Sequence, residues 1–128
     1  GDPLGIIDDG DNVIFDTLLV SPSPNITYNP VTGVFSIGEA GVYYVSWWVN
    51  TDGAEASETV SFTLETSEGA TYPSSSPAPL VTLQLNGSAL IDASGPLTFT
   101  LINTTGANVN LAETAVQANL TIVQLITV

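Results

Sequence analysis

The stretch Ile26 to Asn50, ITYNPVTGVFSIGEAGVYYVSWWVN, decides how this chain is read. It holds two apolar runs, Val34 to Ile37 and Val42 to Val49, each entered through glycine or Pro/Gly punctuation. With a period of two, Tyr43, Val45, Trp47 and Val49 share one face of the second run, and Val42, Tyr44, Ser46 and Trp48 share the other. Aromatic residues on both faces do not suit a sheet with one wet side. This strand is therefore expected to be covered twice, once by its own sandwich and once by another copy of the chain.

The flanking sequence repeats the alternation. Val60, Phe62 and Leu64 alternate with Ser61, Thr63 and Glu65 as a half-buried strand; Val81, Leu83 and Leu85 do so with Thr82, Gln84 and Asn86. Leu97, Phe99 and Leu101 follow, then Val109 to Leu111. A long closing strand over 118–128 sets Leu120, Ile122, Gln124 and Ile126 against Thr121, Val123 and Leu125. Shorter strand-like runs are Ile6-Ile7, Val13 to Phe15, Leu18 to Val20 and Ile26 to Tyr28. Asn86-Gly87 is read as a tight turn. Residues 51–57 and the Pro/Ser-rich stretch 67–79 are read as loops. No segment has a helical period. Many short strands with Gly/Pro turns predict an all-β sandwich.

Composition narrows the function. The 128 residues suit one domain with a real core, and mean hydropathy is +0.34. All thirteen charged residues are Asp or Glu, with no Lys, Arg or His, for a formal charge of −13. Nothing here neutralises phosphates, so nucleic acid is excluded as a partner, and anionic membrane surfaces are disfavoured. No apolar run has the length of a membrane-spanning helix, so no membrane insertion is expected. No salt bridge between side chains can form, within or between copies.

The same composition removes most catalytic chemistry. Without His, Lys or Cys, nucleophilic mechanisms built on those groups are impossible. Only carboxylate pairs remain, and the acidic residues fall mostly in turns and on wet strand faces. The reading is a non-enzyme with no catalytic, cofactor or metal residues. The acidic turn Asp8-Asp9-Gly10-Asp11-Asn12 lacks the twelfth-position Glu of an EF-hand and is read as a solvated turn. Asn25, Asn86, Asn103 and Asn119 head glycosylation sequons, read as chance matches.

Residues 1–12 form a lead-in whose Gly1-Asp2-Pro3-Leu4-Gly5 fits either the end of a collagen-like stalk or an expression scar. Residues 13–128 form a single domain. Within it, the run from Asn25 to Val45, N-x-x-Y-N-P-x-T-G-V-F with G-V-Y-Y-V after it, resembles the signature of the complement component 1q globular head. That head shares a superfamily with tumour necrosis factor. The matching residues are Tyr28, Gly33, Phe35, Gly41 and Tyr43, with Val45 in place of a usual aromatic; Ile14-Phe15-Asp16 fits the short preceding strand. The branch it is most similar to is the C-terminal head of bacterial collagen-like exosporium glycoproteins of the BclA type. The family's Gly-Asp is replaced here by Ser94-Gly95-Pro96, and the vertebrate Phe-x-Gly-Phe is missing from 119–125.

The resemblance implies a jelly roll of about ten short antiparallel strands assembled as a compact homotrimer. It implies a trimerising head that aligns three chains and nucleates a collagen-like stalk, outside the cell on a bacterial or spore (exosporium) surface. Tyr44, Trp48, Thr121, Val123 and Leu125 are expected at the trimer interface. Phe35, Tyr43, Val45, Trp47, Phe62 and Phe99 are expected in the sandwich core. The alternative is an adhesin or phage-fibre tip that binds a glycan or a host surface receptor.

Overall fold

The computed structural model describes residues 6–15, 17–20, 25–54, 60–76, 83–111 and 118–127. Among the described residues eleven strands follow one another: β1 Ile6–Ile7, β2 Thr17–Val20, β3 Ile26–Asn29, β4 Val34–Ile37, β5 Gly41–Ala54, β6 Val60–Thr66, β7 Thr71–Ser76, β8 Leu83–Ala93, β9 Leu97–Asn103, β10 Val109–Leu111 and β11 Ala118–Thr127. No helix occurs among the described residues.

The strands form two sheets, and the quoted stretch supplies the spine of the first. Strand β5 pairs with β8 along one edge, from Gly41↔Ala93 to Thr51↔Leu83. Its other edge takes β11 (Ala118↔Val49 through Thr127↔Gly41) and then β10 (Leu111↔Thr51, Val109↔Ala54). Outside these lie β2 on β11 and β1 on β10. The second sheet runs β3-β4-β9-β6-β7. Among the described residues all pairings are antiparallel except β2 with β11, which are parallel (Thr17↔Asn119 to Val20↔Ile122).

The core fills because alternate residues of each strand turn inward. Phe35, Tyr43, Val45, Trp47, Phe62 and Phe99 are all buried, with Leu64, Leu101, Leu120 and Ile122. Phe35 stacks on its cross-strand partner Phe99 (centroids 4.8 Å, 6° between planes) and on Tyr28 (4.3 Å), and meets Phe15 edge-on at 5.8 Å. Trp47 reaches from the first sheet to Phe62 of the second, edge to face at 6.1 Å. Such aromatic pairs contribute about 1 kcal/mol beyond their buried area. Gly33 closes the β3–β4 turn at φ +78, where a Cβ would also stand 2.8 Å from the Val13 carbonyl oxygen.

Several sequence expectations are corrected. Asn86-Gly87 is no turn: β8 runs straight through it, and Gly87 lies opposite Trp47. The glycine makes room for the indole, since a Cβ there would lie 2.7 Å from Trp47 Nε1. The loop expected from Thr51 is, through Ala54, the end of β5, held by β10. Within 67–79, β7 pairs with β6 as an edge strand, a position where Pro73 is tolerated. Val13 to Phe15 forms no strand; Asn12 makes a single bridge to Ile102, and Val13 N–H donates to Leu101 O. The expected strand residues Val81 and Thr82, and the last residue of the closing strand, lie outside the described residues.

Candidate functional site

The outward face of the first sheet is the feature that needs an explanation. Cross-strand register lays its residues in rows over β8, β5 and β11. One row is Leu90–Tyr44–Val123, the next Ser88–Ser46–Thr121, the next Asn86–Trp48–Asn119. Leu90 is 59% exposed, Leu125 55% and Tyr44 39%. Three of the four large apolar side chains most exposed among the described residues therefore belong to this sheet. Trp48, Thr121 and Val123 are half-buried. All five residues expected at an interface thus lie on β5 and β11, and the side chains of Tyr44, Trp48, Thr121 and Val123 share the rows just given.

Charge is arranged around that face. In the rows from Asp92–Val42 to Asn86–Trp48–Asn119, Asp92 is the one carboxylate among the described residues, and it stands at the end of the patch. Asp8, Asp9 and Asp11 lie in the turn after β1, Glu39 between β4 and β5, Glu65 on β6 and Glu68 in the following turn. Among the described residues no three acidic side chains gather as metal ligands. A patch with a single carboxylate, at its end, is the part of a −13 chain that a second copy can approach at least cost.

The ends of the sandwich are tied by polar groups. At one, Asn25 Nδ2 donates to Glu39 Oε1 and Gln124 Oε1 (both 3.0 Å), while Tyr43 O–H reaches Glu39 O at 2.9 Å and Asn25 Oδ1 at 3.2 Å. Burial raises the pKa of the Tyr43 hydroxyl; the Asn25 hydrogen bond lowers it and the nearby Glu39 charge adds to the rise. At the other, fully buried Asn103 donates to Ile7 O (2.9 Å) and Ala107 O (3.0 Å) and accepts from Thr105 N–H (3.0 Å). Asn119 is buried with its Oδ1 unpartnered. Of the sequon asparagines, Asn86 alone is exposed.

Sequence reading missed Leu90, which continues the exposed row although it stands in the apolar run Ala89 to Ile91. The signal was register: Leu90 opposes Tyr44, whereas Ala89 and Ile91 oppose the core residues Val45 and Tyr43.

No family model and no curated protein matches the sequence. Solved structures do match. The Eiger TNF of S. frugiperda superposes with a TM-score of 0.72 at 17% identity, over 100% of this chain and 90% of that one. Murine APRIL at pH 5.0 gives 0.59 at 12% identity (80% and 79%). The globular domain of zebrafish complement 1qA gives 0.54 at 14% (81% and 88%). The chain has the jelly-roll fold of tumour necrosis factor and complement 1q globular domains. At these identities the likeness is one of fold.

Proposed function

We propose that this domain is a trimerising head: three copies pack through the outward face of the first sheet, align their chains and nucleate an upstream collagen-like stalk. The exposed, nearly carboxylate-free patch built on Leu90, Tyr44, Val123 and Leu125 carries the reading. Its work is structural rather than catalytic. Chain alignment matters because bringing separate strands into register is the costly step in starting a triple helix. The setting is extracellular, on a bacterial cell or spore surface, as the resemblance to exosporium heads implies. Tyr44, Trp48, Thr121, Val123 and Leu125 form the contact.

Light scattering coupled to size exclusion tests it directly. Three times 13.3 kDa is expected across a dilution series. A monomer at all concentrations refutes both the assembly and the stalk-nucleating role. The second reading, a receptor- or glycan-binding tip, gains support from the groove described next, and the two roles occupy opposite faces of the sandwich.

A further inference from the structure

The outward face of the second sheet carries a groove of about 570 Å³ near the ends of β3, β4 and β9, within the size range of small-molecule clefts. Thr27, Ser36 and Thr98 cross it as one row, because Thr27 opposes Ser36 and Ser36 opposes Thr98. Adjacent strands place such side chains about 4.8 Å apart. The three hydroxyls take no part in the hydrogen bonds found among the described residues. Ser67 is fixed beside them: its N–H donates to Thr98 O (2.8 Å) and its Oγ accepts from Thr98 N–H (3.0 Å). Pro96 is the exposed apolar side chain beside the row, the Ile37 and Leu97 side chains being turned into the core, and no carboxylate lines the groove among the described residues.

We infer that this groove is a subsite for a neutral saccharide. A sugar ring presents hydroxyls on its rim and C–H groups on its face, which matches a row of free hydroxyls beside the exposed Pro96 ring. A cation would need carboxylates that the lining lacks. An anionic sugar would meet the repulsion of a −13 chain that offers no Lys, Arg or His to receive it. With hydroxyls rather than aromatic platforms as contacts, affinity falls in the millimolar range. The site lies on the sheet opposite the proposed interface and stands whether or not the chain assembles.

Amide NMR titration of the whole chain with cellobiose, maltose and lactose tests the inference. Saturable shifts centred on residues 27, 36, 67 and 98 are expected for at least one sugar below ~50 mM, the range of weak single-site binding. Thr27→Val and Thr98→Val keep shape and strand preference while deleting one hydroxyl; each should weaken binding about fivefold. Thr100→Val, one step along β9, should leave it unchanged. Absence of shifts with all three sugars, shifts centred on the Trp48 face, or unaltered binding by both Val variants would each overturn the proposal. So would equal binding of galacturonate.

Discussion

Gly87→Ala gives the sharpest test of how the two sheets fit together. A methyl group at this position would interpenetrate Cζ2 and Cε2 of Trp47 and stand 2.7 Å from Nε1. The indole cannot swing away cheaply, because it is 2% exposed and lodged edge-on against Phe62 across the core. Forced overpacking of this kind costs roughly 1–3 kcal/mol, and a clash with three ring atoms belongs at the upper end. Removing a glycine from a strand returns about 0.5–1 kcal/mol through the unfolded chain. The net is about 2 kcal/mol of destabilisation, a fall in Tm of roughly 6–10 °C for a domain of this size. Thermal unfolding followed by circular dichroism and by Trp fluorescence measures it. Gly95→Ala, whose added methyl meets nothing within 4 Å, is the control and should lie within about 0.5 kcal/mol of the parent. A Gly87→Ala protein as stable as the parent would refute the account of why β8 carries a glycine opposite Trp47.

Adjacent tryptophans should respond oppositely to charge. Trp48→Glu should leave a folded subunit that no longer assembles, while Trp47→Glu should unfold it by placing an unpaired carboxylate in the core, as scattering and far-UV dichroism will tell apart. The raised pKa of Tyr43 means the folded state favours the neutral phenol, so its contribution is complete below the ordinary value of about 10 and is lost as pH rises through the folded value. Denaturant melts from pH 8 to 12 should show this loss in the parent and a flatter profile in Tyr43→Phe. Three copies bring together thirty-nine acidic side chains, three times the thirteen of one chain, with no cationic side chain among them. Assembly measured by dilution should therefore strengthen with added sodium chloride. Micromolar calcium should change little, and a large melting shift from it, abolished by chelator, would establish a specific metal site instead.

The strands were legible wherever one face is dry, since inward side chains at 43, 45, 47 and 49 or at 97, 99 and 101 impose an unmistakable period of two. What escaped was decided by partners distant in sequence. Asn86-Gly87 has the local chemistry of a turn, and only the indole arriving from β5 makes it a strand. Residues 51–54 look like a loop until β10 pairs with them. β7 is serine-rich and contains proline, yet an edge needs little hydrophobicity. The groove was invisible for the same reason: 27, 36 and 98 meet only through two strand pairings. Nothing in the single sequence told Asn103 from the other sequon asparagines, although its buried amide ties Ile7 to the turn before β10.

Strand β11 lies in the interior of its sheet, between β5 and β2, although it is the last to be made. Until residues 118–127 leave the ribosome, β5 has an unpaired apolar edge and β2 has no partner. Pairings such as Ile7↔Val109 and Thr17↔Asn119 span about a hundred residues, which makes folding slow and late. All thirteen acidic residues precede β11, so the incomplete chain already carries the full negative charge, and that repulsion opposes association between copies while the first sheet is unfinished. A ribosome-stalled chain lacking β11 should accordingly remain protease-sensitive throughout, and release of those ten residues should protect all eleven strands together.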